Sequence, residues 1–301
     1  MLYYFRNGNF GDELNPWLWR QLCPEVMEQR QDRLFLGIGT ILSRSVPAEP
    51  VKVVFGSGTS GVGEPSVMDA RWRVFCVRGP LTARKLNLDA RLALTDGAIL
   101  VRRVRPPDEK KRYSVSIMLH HRSMEEADWK ELTARAGIHC IDPCAKVDQV
   151  LAEMLQTELL LTEAMHGAIV ADALRVPWMP VRLYPWFNEF KWQDWSQSVQ
   201  VPLDVAVVPP VYQRSVFSRR GMRDSGKRLL AAAGLGKAKW QHLSLRPSHE
   251  REIKSTLDQL KQMAQRQRPC LSDEGMLRSL EERAFEQLNA IREAWRGAEF
   301  T

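Results

Sequence analysis

The chain has 301 residues, 44% hydrophobic and 26% charged, a balance that fits one large soluble core or two of ordinary size and excludes a disordered or fibrous chain. No run of about 18 apolar residues occurs, so a spanning helix is not expected, and the five cysteines match no zinc-binding spacing. The net charge of +7 is concentrated: residues 213–240 carry eight lysines and arginines against Asp224, and the rest of the chain is formally neutral.

The first residues, Met1–Phe5, form an apolar run that predicts a strand over Leu2–Phe5 rather than a secretory segment, so a reduced, cytoplasmic protein is expected. The loop that follows reads Asn7-Gly8-Asn9-Phe10-Gly11-Asp12-Glu13-Leu14-Asn15, and Pro16–Leu22 has helical spacing. A Gly/Asn-rich loop between a strand and a helix lies at the carboxyl edge of a parallel sheet, where ligands bind. Further strands are expected at Leu34–Ile38, Val51–Phe55, Val74–Val77, Ala98–Val101, Tyr113–Leu119, Ile138–Ile141, Glu158–Leu161 and Trp178–Val181. Helices are expected at Leu81–Leu86, Met124–Ala136, Lys146–Leu155 and Met165–Leu174. Such alternation points to an α/β fold with parallel sheets. The charged, proline-containing stretch Arg102–Arg112 reads as a linker, which divides the chain into units at 1–104 and 105–209. After Pro209 the pattern turns helical, over 213–235, 248–266 and 271–297, and predicts a helical extension at 210–301.

Chemistry gathers at the strand ends. Gly56, Ser57, Gly58 and Thr59 follow an apolar strand and offer N–H and hydroxyl groups to phosphate or sugar oxygens, although the pattern lacks the rest of a dinucleotide fingerprint. Arg78 ends the next strand, just before Pro80 opens a helix, and its planar fork suits a carboxylate or phosphate; the competing assignment is a salt bridge closing the sheet. Glu163 and His166 sit where a buried strand passes into a helix. A histidine near a helix N-terminus is kept neutral more easily and can act as a base or as a hydrogen-bond donor to an anion. Asp12, at the start of the first helix, fits a helix cap.

Taken in order, Asn9-x-Gly11-Asp12, Gly56-Ser57-Gly58, Arg78-Gly79-Pro80-x-Thr82, Thr95-Asp96-Gly97-Ala98 and Glu163-x-x-His166-Gly167 resemble the polysaccharide pyruvyltransferase family. The likeness runs from about residue 5 to about residue 197. Its late segment, Phe190-Lys191-Trp192-Gln193-Asp194-Trp195, resembles the branch that decorates bacterial exopolysaccharides such as succinoglycan and xanthan. The resemblance implies two Rossmann-like domains facing a cleft, as in GT-B glycosyltransferases. It also implies transfer of pyruvate from phosphoenolpyruvate to a sugar as a cyclic ketal, with no cofactor and no metal. By the same resemblance, Arg78 would grip the donor beside Gly56–Thr59, and His166, Asp12 and Glu163 would handle protons. Asn9 and Trp192 would face the acceptor. Many relatives read Arg-Leu-His where this chain has Ala164-Met165-His166, so Lys191 or Arg182 is expected to supply the missing cation. A lipid-linked acceptor would place the protein peripherally at an anionic membrane through residues 213–240. The alternative function is a GT-B-type glycosyltransferase using a nucleotide sugar. Nucleic acid is not an expected partner, because the basic segment has few interleaved aromatic residues.

Overall fold

A computed structural model describes residues 1–28, 30–43, 45–63, 66–104, 109–213, 246–266 and 268–297. Two parallel sheets form a mixed α/β structure. The first has the order β1 (Arg33–Leu36), β2 (Val51–Phe55), β3 (Trp72–Cys76). The second has the order β5 (His139–Cys140), β4 (Tyr113–Met118), β6 (Thr157–Thr162), β7 (Trp178–Arg182), β8 (Ala206–Val207). In the second sheet Val115 faces Leu159 and Leu161 faces Met179 across the ladder. The short crossover helices α5 (Trp129–Arg135), α6 (Val147–Leu155) and α7 (Met165–Ala173) connect its strands, as parallel pairing requires.

The first strand expected from the sequence reduces to a single bridge, Leu2 to Phe35. The Met1 ammonium and carbonyl and the Tyr3 N–H bond to the edge of β1, and the chain then leaves the sheet. The first helix, α1 (Phe10–Leu22), starts six residues before the expected Pro16. Asn9 caps it by accepting from the Asp12 N–H at 3.2 Å, so the Gly/Asn loop is itself the helix start. Pro16 sits inside this helix and cannot donate to the Asp12 carbonyl; the Asn15 side-chain amide donates to it instead, at 3.2 Å. The same buried amide donates to Ile38 O and accepts from Ile38 N and Trp19 Nε1, which pins α1 to the end of β1.

The expected strand Ala98–Val101 is a tight turn, Gly97–Leu100, running into the short helix α3 (Val101–Val104). Four consecutive buried apolar residues fit either state, and the Asp96 carboxylate, accepting from the Ala98 N–H, decides for the helical one. Arg102 therefore belongs to a helix rather than a linker, and it pairs with Glu274 and Glu281 at 2.8 Å each. The expected helix Met124–Ala136 is two pieces, α4 (His121–Met124) and α5, with Asp128 capping the second. Phe190–Trp195 lies in helix α8 (Glu189–Ser198).

The two C-terminal helices do not pack together as one layer. Helix Glu250–Arg266 buries Ile253, Leu257, Leu260 and Met263 in one cluster with Val181 of β7 and Leu183 just beyond it. Helix Glu274–Arg296 reaches the first sheet, where Trp295 meets Phe35 edge-on at 6.3 Å. A single apolar cluster joins Phe35 and Phe55 to Ala168, Ile169 and Trp178, so the core is continuous from one sheet to the other. Among the described residues, no helix is long and apolar enough to cross a membrane. Apart from Gln213, the basic segment 213–240 lies outside the described residues.

Candidate active site

Parallel strands deliver their carboxyl ends to one edge of each sheet, and the loops there begin helices. In this chain the loops after β1, β4, β6 and β7 converge on α1 and enclose a cavity of about 200 Å³. Gly39 and Thr40 come from the first sheet. Met118, His120 and His121 follow β4, Glu163 to His166 follow β6, and Trp186 and Asn188 follow β7. Asn9 to Asp12 from the start of α1, and Lys191 and Trp192 from α8, complete the wall. The first turns of α1, α7 and α8 thus all lie on this cavity, each presenting the positive end of its peptide dipole.

The side chains reinforce that sign. The Lys191 ammonium forms no hydrogen bond or ion pair with any described residue, and burial, with Arg78 nearby, lowers its pKa to about 8. Burial and the neighbouring His121, Arg122 and Lys191 drive His120 down to about 3, so its ring is neutral. His120 Nδ1 accepts from the Arg122 N–H, which leaves Nε2 as the donor. Burial lowers His121 as well, against the opposing charge of Asp12. Asp12 itself is held by Asn7 Nδ2 at 3.0 Å and Asn9 Nδ2 at 2.6 Å.

Glu163 lies in the wall but is nearly fully buried, and both of its oxygens are occupied. Oε1 accepts from the Leu183 and Tyr184 N–H groups, and Oε2 from His120 N and Ser123 Oγ. Burial raises its pKa and the four donors oppose that rise. The carboxylate ties the ends of β4, β6 and β7 together rather than presenting a free oxygen to the cavity. His166 reaches the cavity in the first turn of α7, its ring packed on Gly11. A methyl group at position 11 would overlap the imidazole, so glycine is what lets α1 and α7 approach here. Behind the ring, His166 Nε2 stands 3.8 Å from Asp96 Oδ2.

Three expected donor-binding elements are not brought to this cavity. The Arg78 side chain is 0% exposed. Its Nε donates to Asp194 Oδ2 at 3.0 Å, one terminal nitrogen to Thr40 Oγ1 at 3.0 Å, and the other to Thr59 O at 2.8 Å. Asp194 also accepts from Thr82 N and Thr82 Oγ1, so the arginine fastens α2 (Pro80–Lys85) to α8 behind the wall. Arg78 thus forms the salt bridge of the competing assignment, although the pair joins α2 to α8 rather than closing the sheet. The loop Gly56–Thr59 is turned inward in the same way: Ser57 Oγ donates to Leu36 O, and a side chain on Gly58 would strike the Arg78 guanidinium. Arg182 pairs with Glu189 at 2.6 Å and lines a separate groove with Tyr184, Tyr212 and Gln259. Lys191 is therefore the cation that shares a wall with Ala164. Trp192 is buried and stacks on Phe187, ring centres 4.8 Å apart, with one edge at the cavity.

His120, His121, Thr40, Asn188 and Asp96 carried no role in the sequence reading. The two histidines follow the strand Tyr113–Met118 directly, and the strand-end rule that singles out Arg78 and His166 points equally to them. Asp96 lies within Thr95–Ala98, where a neighbouring apolar run reads as strand and hides the cap.

Over 213 residues, 69% of this chain and 67% of the relative, the sequence is 38% identical to the succinoglycan biosynthesis protein ExoV of Rhizobium meliloti strain 1021. The chain belongs to the polysaccharide pyruvyltransferase family. The kinship places it with enzymes of exopolysaccharide biosynthesis. No family model matches the chain, and no solved structure does.

Proposed function

We propose that this member of the family transfers pyruvate from phosphoenolpyruvate to a sugar of an exopolysaccharide repeat unit, forming a ketal and releasing phosphate. The observation that carries the proposal is the cavity on which three helix starts and Lys191 converge opposite Asp12, the second acid in the wall, Glu163, having both oxygens engaged by four donors. A small donor bearing both a carboxylate and a phosphate is the ligand such a field favours.

The chemistry balances without another reactant. A proton adds to the donor's methylene carbon, making it a methyl group, and one sugar hydroxyl bonds to C2. A second hydroxyl then bonds to the same carbon as phosphate leaves. Of the two hydroxyl protons, one is taken up in the methyl group and the other departs with phosphate. Lys191 and the N–H groups at the start of α7 hold the anionic groups, and His120, donating through Nε2, adds a neutral hydrogen bond. His166 and Asp12 are the titratable groups placed to move protons. Asn9 and Trp192 stand at the wall where a sugar enters. The proposed arrangement pairs two Rossmann-like units, 1–104 and 105–209, in the GT-B manner, with 210–301 as the extension.

Incubation with phosphoenolpyruvate and a panel of free and lipid-linked glycosides tests the proposal. Phosphate release that depends on the glycoside, with a product heavier by pyruvic acid less water, supports it. Glycoside-dependent consumption of a nucleotide sugar instead of phosphoenolpyruvate overturns it. We further propose that residues 213–240 dock the protein on anionic lipid beside a lipid-linked acceptor. Flotation with anionic vesicles that is lost at high salt supports docking; equal flotation with neutral vesicles contradicts it.

A further inference from the structure

Buried polar atoms nearly always have partners, and an orphan asks for an explanation. Two orphans face each other at the back of the cavity. Asp96 is fully buried, and its Oδ1 accepts from the Ala98 N–H at 3.0 Å, but Oδ2 has no hydrogen bond. His166 Nε2 is also buried and without a hydrogen bond, and the two atoms are 3.8 Å apart. The other ring nitrogen, Nδ1, lies against Gly11 at the cavity wall. Only a glycine leaves room for it there.

We propose that Asp96 is the positioning residue of a carboxylate–imidazole pair. It holds the His166 proton on Nε2 and leaves the Nδ1 lone pair directed at the bound sugar hydroxyl. The role assigned to Nδ1 rests on the pyruvyl-transfer proposal; the pairing itself does not. A shift of the ring by less than one side-chain rotamer brings 3.8 Å to hydrogen-bond length, as commonly happens when a catalytic site closes on its ligand. The carboxylate then fixes the tautomer and stabilises the imidazolium formed when Nδ1 takes a proton. The charged and titratable groups around the ring are Asp12 on α1, His120 and His121 at α4, Glu163 after β6 and Lys191 on α8. Glu163 has its oxygens engaged elsewhere, and Asp12 is held by Asn7 and Asn9, so Asp96 is the acceptor on the Nε2 side.

Asp96→Asn inverts the arrangement. Its amide oxygen must still accept from the Ala98 N–H, so the NH₂ faces Nε2 and can only donate. The His166 proton is then forced onto Nδ1, where the lone pair is needed. The readout is long-range proton–nitrogen NMR of ¹⁵N-histidine-labelled protein without donor, at a pH where the ring is neutral, with His166→Gln assigning the resonance. Wild type should show the Nε2–H tautomer and Asp96→Asn the Nδ1–H tautomer, while turnover falls by about 10²- to 10⁴-fold. An Nδ1–H tautomer in the wild type overturns the pairing even if the variant fails to fold, and so does an unchanged tautomer with unchanged turnover in Asp96→Asn. Because the tautomer is read without donor, wild type that shows the expected tautomer but no pyruvyl transfer overturns the function alone.

Discussion

Replacing Lys191 by methionine should make the free protein more stable and the donor site weaker. Burial lowers the Lys191 pKa from its ordinary 10.5 to about 8. A lysine with a depressed folded-state pKa binds fewer protons folded than unfolded between those two values, so stability rises with pH across that window. Below pH 8 the full penalty applies, and the shift corresponds to roughly 3 kcal/mol. Methionine keeps the apolar stem and removes the charge, so Lys191→Met should melt several degrees higher at pH 7, with the difference shrinking towards pH 10.5. Donor binding should move the other way. A charge-assisted hydrogen bond contributes about 1.5–3 kcal/mol, so the variant should bind phosphoenolpyruvate about 10- to 150-fold more weakly at pH 7. Wild-type affinity should fall as pH rises above about 8, where Lys191 loses its proton, and that slope should be absent from the variant. Calorimetric titration at pH 7 to 9.5 beside thermal melting reads both effects. A variant that melts no higher and binds the donor as wild type does would refute both the burial argument and the placement of the donor.

Other substitutions separate support from chemistry. Arg78→Met breaks a fully buried ion pair and should cost about 3–5 kcal/mol in denaturant unfolding; normal stability with lost donor affinity would return Arg78 to the donor. Asn15→Leu strands Ile38 N, Ile38 O and Trp19 Nε1, and should destabilise by about 2–5 kcal/mol in the same assay. Gly11→Ala should displace the His166 ring and lower turnover by about 10²-fold while circular dichroism stays native. Arg182→Ala removes a solvent-exposed pair and should leave donor affinity within about twofold in the titration.

The second sheet was legible because its strands are apolar, bounded and separated by helical periods. Tyr113–Met118, Thr157–Thr162 and Trp178–Arg182 all fall within two residues of the expected spans. Elements governed by caps were harder. The start of α1 depends on Asn9 and on Asn15 replacing the donor that Pro16 lacks, and Ala98–Val101 depends on the Asp96 cap. In the first, side-chain hydrogen bonds make a helix start of residues that read as a loop; in the second, one cap overrules an apolar run that fits two states. At the candidate site, Asn9, Asp12, His166, Lys191 and Trp192 come together from segments far apart in sequence. Arg78 and His166 look alike in one dimension, each ending a buried strand before a helix. What distinguishes them is Asp194, 116 residues beyond Arg78, which draws the guanidinium into the protein. No local spacing carries that information.

The measurement closest to the central claim is the reaction in D₂O with phosphoenolpyruvate and a sugar acceptor, followed by NMR of the product. Pyruvyl transfer at this cavity predicts one phosphate released per ketal and one deuterium in each ketal methyl group, because the methylene carbon takes its third hydrogen from solvent. A ketal methyl without deuterium would contradict the protonation step. A product that retains the methylene group, or turnover of a nucleotide sugar with phosphoenolpyruvate untouched, would contradict the function itself.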